Sequence, residues 1–348
     1  MESYARAKNS GLHLNLYGQE LKDLSYAVCA ADMLIKHAAA DGKAKFEVRH
    51  GNTLTHDLFE GEAFDYVAAN PPYGAPWGGK DRKQDEEIIR AQTERFAGGF
   101  PQTGDSALLF VQHIVNKMKP TAEGGARAGI VLAGSPLFNG DAGSGESEIR
   151  RWLIEQDLIE AIVALPTELF FDTGIGTFIW ILSNRKSAER KGKIQLIDAR
   201  ELAAKVRKPT GMKRYEITEE LKAQIHAIYE SFETDGKYSK VFDASFFGYR
   251  KVKLVLRKPE GVETDYERMS LTENIDEYLA REVLPFEPTA LVNTSYKDEK
   301  TGEVGRIGYE INFNRYFYVA KDVEPSVDIL KRIQGLEAEF VQLMKGVL

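Results

Sequence analysis

Apolar residues in this chain gather into short dense runs, with stretches of three- and four-residue spacing between them. Five runs are rich in branched side chains: FDYVAA (64–69), AGIVLA (128–133), LIEAIVALP (158–166), FIWILS (178–183) and IQLIDA (194–199). Runs of this length and density read as strands buried within a sheet. Between them SALLFVQHIVNKM (106–118) repeats its apolar residues at helical spacing. SGESEIRRWLIEQ (144–156) opens with small polar residues suited to a helix N-cap. The alternation predicts a largely parallel sheet covered by helices, an α/β domain over residues 1–200.

The texture changes after Ala199. KVRKPTGMKRYEITEELKAQIHAIYESF is charged and helical, and from Lys237 onward the chain is aromatic and rich in turn residues. Residues 201–348 therefore read as a second unit, a mostly helical or irregular extension. Its last stretch places Val327, Leu330, Ile333, Leu336, Phe340 and Leu343 at three- and four-residue steps, one apolar stripe on a terminal helix. Docking on its own domain and binding a partner both fit that stripe.

Composition narrows the chemistry. With 348 residues, 43% of them hydrophobic, the chain can bury a large core. A single cysteine, Cys29, excludes an internal disulfide framework, and no cysteine or histidine pair has zinc-ligand spacing. The N-terminus MESYARAKNSG lacks the basic start and apolar stretch of a signal peptide, and no apolar run reaches the ~18 residues of a membrane span. A cytoplasmic protein is expected. The net charge of −7, from 46 basic and 53 acidic residues, bears on partners: a protein that grips a duplex alone usually has a basic face. Here either the fold clusters the basic residues or another chain supplies most of the grip.

The candidate chemistry lies at Asn70, Pro71, Pro72 and Tyr73, with Gly74 behind them, directly after the strand FDYVAA. That is the C-terminal end of a strand, the edge at which open α/β sheets bind ligands. Two prolines stiffen the turn and remove two backbone donors, leaving carbonyl oxygens as acceptors. Such a turn suits an exocyclic amine, whose lone pair is delocalised into its ring. The Asn70 side-chain carbonyl and the Pro71 main-chain carbonyl would each accept one amino hydrogen, directing the lone pair at a methyl donor and stabilising the developing charge. Tyr73 would stack on a base swung out of the duplex. In isolation NPPYG reads equally well as a rigid turn; its position after a buried strand favours the catalytic reading.

With these residues the chain resembles the modification subunits of type I restriction enzymes. NPPYG is similar to that family's catalytic motif. The resemblance extends through LNLYGQEL (14–21), ARAGIVLAGSPLF (126–138), the segment from Glu148 to Lys186, and FFGYRKVKL, ENIDEYLAREVLP and IGYEINFNRYFYV. It implies a Rossmann-like sheet that binds S-adenosylmethionine. Glu20 would hold the cofactor ribose hydroxyls, since a carboxylate can accept from two neighbouring hydroxyls, and Asn70 would lie against the cofactor as well as the base. Two departures stand out. The family's Asp-Pro-x-Cys-Gly-x-Gly motif belongs on the strand before the one ending at Glu20, and residues 1–11 do not carry it, so a first strand is expected to be absent. At GNTL (51–54), Asn52 stands where the family usually has an acidic residue that recognises the cofactor adenine; an amide can still accept and donate there. Asp57 and Asp65, nearby, read as solvent-facing or capping residues.

Other features carry less. Lys80, Arg82 and Lys83 fit a phosphate-touching loop, but equally a solvated one. NGDAGSGE (139–146) has no Gly-Lys-Ser/Thr ending and reads as a flexible connection. FFDTG (170–174) resembles the family's loop near the target base, although core packing of Phe170 or Phe171 is the stronger expectation. The resemblance implies methylation of adenine N6 in DNA, with partners comprising DNA, a separate specificity subunit and a nuclease subunit, and no metal. Two alternatives stay open: a non-enzymatic remnant that keeps fold and partner binding without cofactor, and methylation of a glutamine amide, another planar nitrogen.

Overall fold

The computed structural model describes residues 14–39, 44–319 and 324–345. The chain divides into two compact units between Asn312 and Phe313. In the first, strand β1 (Leu14–Glu20), helix α1 (Asp23–Ala39) and strand β2 (Ala44–His50) form a crossover unit in which β1 and β2 pair in parallel. Next come β3 (Tyr66–Ala69), α2 (Lys83–Ala91), α3 (Ala107–Asn116), β4 (Arg127–Ala133), α4 (Gly145–Glu155), β5 (Ile159–Ala164), β6 (Thr177–Ser183) and β7 (Lys193–Asp198). All five runs singled out in the sequence are strands, with bounds within two residues of those expected. The cap expected before α4 is present: Ser144 accepts a hydrogen bond from the Ser147 N–H at 3.3 Å.

The central sheet has six strands in the order β10-β7-β5-β6-β4-β3, where β10 is Ser239–Asp243. It is mixed rather than largely parallel. The β3/β4 and β5/β7 pairs are parallel, whereas β4/β6, β5/β6 and β7/β10 are antiparallel. The reason lies in the connections: residues 165–176 carry no helix, so β5 returns through β6 as an antiparallel neighbour, while parallel neighbours need a crossover of a dozen or more residues. Strand β5 is buried at all six positions and runs through the core, flanked by the fully buried Trp180 and Leu182 of β6 and by Leu196 and Ile197 of β7. Its Glu160 is 0% exposed and is neutralised by Arg127 at 3.2 Å and Arg190 at 3.8 Å, with the Tyr229 hydroxyl donating to the same oxygen.

Beyond residue 200 the expected helical or irregular extension is corrected. A hairpin, β8 (Ala204–Thr210) with β9 (Lys213–Glu216), and the expected charged helix, α5 (Glu219–Ser231), lead to β10, which joins the central sheet. There follows a four-stranded antiparallel sheet, in which β11 (Gly248–Lys258) pairs with β12 (Gly261–Ser270), β13 (Leu291–Val292) and β14 (Arg306–Tyr309). Its cause is a period of two: Val252, Leu254 and Leu256 point to one face and feed an apolar cluster completed by Met269, Leu279, Val283 and Ala290, while Lys251, Lys253, Val255 and Arg257 take the other face. In the second unit, helix α6 (Ser326–Met344) carries the expected stripe, and all six of its residues are exposed. Among the described residues no helix is long and apolar enough to cross a membrane.

The β1–β2 pair and the six-stranded sheet share no ladder among the described residues: β1 pairs with β2 and β3 with β4. The segment between β2 and β3 joins them. Tyr17 of β1 packs on Phe59 and Phe64, with ring centroids 5.4 and 5.3 Å apart. Gln19 bonds the His56 carbonyl at 2.8 Å and the Leu58 N–H at 3.1 Å. From the other side Lys117 meets Asp57 at 2.6 Å and donates to the carbonyls of Phe59 and Glu62. Asp57 is half-buried and is the capping residue of its turn, accepting the Phe59 N–H, rather than a solvent-facing one. Asp65 is exposed and pairs with Lys119. Arg95 is buried and donates to the carbonyls of Thr53 at 2.6 Å and Leu54 at 3.3 Å, and to Nδ1 of His113.

Burial and the adjacent Arg95 guanidinium push the His113 imidazole down from 6.5 to about 3. His113 is half-buried, and the Arg95 contact needs an unprotonated Nδ1. Two tests follow from this packing. Arg150, fully buried, donates to the carbonyls of Tyr309, Pro136 and Gly140; Arg150→Met strands these acceptors and is expected to cost about 2–4 kcal/mol in chemical denaturation. Between pH 6.5 and about 3 the unfolded chain binds a proton at His113 that the folded chain refuses, so acid favours unfolding. His113→Asn keeps an acceptor that does not titrate. Relative to that variant, the unaltered protein is expected to lose Tm as pH falls below 6.5, and a difference constant with pH would contradict the assignment.

Candidate active site

Asn70, Pro71, Pro72 and Tyr73 follow the last residue of β3 without a break. Pro71 is buried, Asn70 and Pro72 are exposed, and Tyr73 is half-buried. Gly74 adopts φ +62°, a left-handed conformation that reverses the chain at little cost only for a residue without Cβ. The exit is fixed by Trp77, 2% exposed, whose backbone N–H donates to the Thr103 carbonyl and whose indole N–H donates to the Gln102 carbonyl, both at 3.0 Å. The Ala75 carbonyl accepts the Ser106 N–H at 2.9 Å. A stiff turn is thus pinned at both ends, by a sheet strand and by a buried aromatic.

Within the turn the Tyr73 hydroxyl donates to Oδ1 of Asn70 at 2.8 Å. This bond orients the side-chain carbonyl and leaves its second lone pair as an acceptor. Burial raises the Tyr73 phenol above its ordinary value, so it stays a donor at neutral pH.

Glu20 closes β1 in register with His50 at the end of β2, and its carbonyl accepts the Gly51 N–H at 2.9 Å. Its carboxylate accepts the Lys22 N–H on Oε1 at 2.8 Å, which aims the group beyond the strand end and leaves Oε2 as a further acceptor. Asn52 lies one residue past Gly51. Its Oδ1 accepts the Leu54 N–H at 3.0 Å, so the side-chain carbonyl is committed to its own turn and the Nδ2 donors are what it offers outward. The Asn52 and Asn70 turns are drawn together through the core: Leu54 and Trp77 share one apolar cluster with Ile89, Phe96 and Leu109.

Four residues without a mark in the sequence hold this arrangement. Arg95 and Gln92 bind the carbonyls of residues 53–55, His113 of α3 accepts from Arg95, and Lys117 just beyond α3 binds the Phe59 carbonyl. No local pattern points to them, because their partners lie up to 58 residues away. Lys80, Arg82 and Lys83 are exposed at the start of the polar helix α2, and Arg82 faces Asp85. FFDTG splits its roles: Phe170 packs into the core beneath α5, whereas Phe171 is 56% exposed and its carbonyl accepts the Met212 N–H of the β8–β9 turn. The 139–146 connection is tethered rather than flexible, through Asp141 to Lys251 and Arg268 and through Glu146 to the Gln102 N–H. No group of three or more His, Cys, Asp or Glu suited to a metal occurs among the described residues.

The profile of the family described as N-6 DNA methylase matches residues 2–258. Among similar proteins, the chain is 32% identical over 247 residues to the type I restriction enzyme MjaVII methylase subunit of Methanocaldococcus jannaschii, covering 70% of this chain and 40% of that one. It is 27% identical over 234 residues to the MjaIX methylase subunit of the same organism, covering 67% and 38%. The chain therefore spans about 40% of the length of the relatives it matches. In fold it is similar to the type I restriction-modification methyltransferase subunit from Streptococcus thermophilus, with a TM-score of 0.55 at 22% identity, over 70% of this chain and 54% of that one. With the profile spanning most of its length and the Asn-Pro-Pro-Tyr turn at the end of β3, the chain belongs to the N-6 DNA methylase family.

Proposed function

We propose that this chain supplies the methyl-transfer site of a type I modification enzyme acting on the N6 amino group of adenine in DNA. The observation that carries the reading is the pinned Asn-Pro-Pro-Tyr turn, with Asn70 Oδ1 oriented by the Tyr73 hydroxyl at the edge of β3. Asn70 Oδ1 and the Pro71 carbonyl each accept one amino hydrogen of the flipped base, which draws the nitrogen toward tetrahedral geometry and spreads its developing positive charge over two fixed dipoles. Tyr73 packs its ring on the base. S-adenosylmethionine supplies the electrophilic methyl group when bound.

The residues at the ends of β1 and β2 fit that cofactor. Glu20 has a carboxylate oxygen for the ribose hydroxyls, and Asn52 offers its amide hydrogens to a ring nitrogen of the adenine. On this reading residues 1–200 hold the methyl-transfer half, and residues 201–348 form an extension that meets partner subunits. A specificity subunit selects the DNA sequence, a nuclease subunit joins the assembly, and all act in the cytoplasm.

The turn is tested first by methyl incorporation into DNA. Asn70→Ala is expected to lower transfer by about 10²-fold or more with the circular dichroism spectrum and Tm unchanged; full transfer in that variant would remove Asn70 from the chemistry. The cofactor assignment is tested by calorimetric titration with S-adenosylmethionine. Glu20→Ala is expected to weaken binding by about 10-fold or more, as a charge-assisted hydrogen bond disappears, while Asn70→Ala largely retains it. Failure of the unaltered chain to bind would instead support the remnant that keeps its fold without cofactor.

A further inference from the structure

The sheet formed by β11 and β12 segregates its charges. In the antiparallel register Lys251 lies opposite Arg268, Lys253 opposite Tyr266 and Arg257 opposite Val262, so these positions share one face. Strand β14 adds Arg306, opposite Lys251, to the same face. The carboxylates of β12, Glu263, Asp265 and Glu267, lie opposite Leu256, Leu254 and Val252 and so belong to the other side. Five cations therefore share a face to which β11 and β12 contribute no acid, in a chain with 53 acidic and 46 basic residues.

Part of that charge is balanced by neighbouring loops. Asp141 meets Lys251 and Arg268, Glu310 meets Arg268 at 3.0 Å, and Glu299 meets Arg306 at 3.4 Å. Lys253 and Arg257 have no carboxylate in ion-pair reach among the described residues. Aromatic rings lie beside four of the five cations, Lys251, Lys253, Arg268 and Arg306. Tyr266 is 42% exposed, with the Lys251 ammonium 4.3 Å and the Lys253 ammonium 6.0 Å from its centroid. Tyr296 lies edge-on to Tyr266 at 5.8 Å and carries the Arg306 guanidinium at 5.2 Å. A cation held over a ring keeps its N–H donors available to a further acceptor.

We propose that this face binds the phosphodiester backbone of duplex DNA, an inference that rests on the reading of DNA as the substrate. From Lys251 to Arg257 the strand spans about 20 Å at ~3.3 Å per residue, and duplex DNA carries one charge per ~1.7 Å of its axis. Cations spaced along one strand can meet successive phosphates of a duplex backbone, and tyrosine hydroxyls serve as additional phosphate donors. The contact is independent of sequence, because backbone contacts position DNA without reading it. It also gives a chain of net charge −7 a local means of holding a polyanion.

The test is fluorescence anisotropy of the full chain with a labelled duplex of arbitrary sequence, titrated from ~50 to ~200 mM salt. The double variant Lys253→Gln/Arg257→Gln changes two cations that support no ion pair among the described residues. It is expected to weaken binding and to reduce the slope of log K against log salt by about 2, near 0.9 for each phosphate that is no longer neutralised. Lys205→Gln/Lys208→Gln, on exposed positions of β8, is the control expected to keep the slope. An unchanged slope in the first variant, or displacement of the duplex by polyglutamate at matched charge, would overturn the proposal. The salt slope reads the charge contacts of this face and methyl incorporation reads the turn after β3, so this surface and the methyl-transfer reading fail separately.

Discussion

Because β1 and β2 share no hydrogen-bonded ladder with the six-stranded sheet among the described residues, the segment from Thr53 to Glu62 has to hold the two together, and two buried cations fix it. Arg95 and Lys117 bind backbone carbonyls along that segment, and Asp57 offsets the charge of Lys117. Main-chain carbonyls without a ladder partner must be satisfied some other way once buried. Long cationic side chains do this from a distance, without a strand. The neutrality of His113 follows from the same demand, since a protonated ring would face the Arg95 guanidinium. The positions of Glu20 and Asn52 relative to Asn70 thus depend on side-chain hydrogen bonds more than on sheet pairing.

That dependence shapes the active site. Glu20 and Asn52 end two strands of one small unit, Asn70 ends a strand of the larger sheet, and the Leu54–Trp77 packing draws the turns into a single cluster. The structure adds how each is held: Asn52 by its own turn, Glu20 by Lys22, and Asn70 by Tyr73. Each polar group has one contact that orients it and further capacity directed outward.

What was legible in the sequence is what depends on local pattern. Dense branched runs marked the five central strands, small polar residues marked the cap of α4, and a stiff Asn-Pro-Pro-Tyr stretch after a buried strand marked the candidate site. Strand direction was not legible, because it is set by what lies between strands; the helix-free 165–176 connection turns β5 back into β6. The β11–β14 sheet was hidden because lysine, arginine and tyrosine interrupt its alternating face, residues whose long stems cover apolar surface while their polar ends reach water. The roles of Arg95 and Lys117 were hidden for a different reason: a cation that binds carbonyls leaves no complementary residue type elsewhere in the chain.

The open side of β3 has a consequence for how the molecule behaves among copies of itself. Tyr66 is 54% exposed on this edge strand, whose neighbours Val67, Ala68 and Ala69 are small and uncharged. Among the described residues this edge has no strand partner on its outer side, and an edge of that composition is a template for strands of other molecules. Here the Arg185 guanidinium lies 5.2 Å from the Tyr66 ring, and the Asp65–Lys119 pair marks the point where the strand begins. Charge so close to the edge makes docking of a foreign strand costly in desolvation.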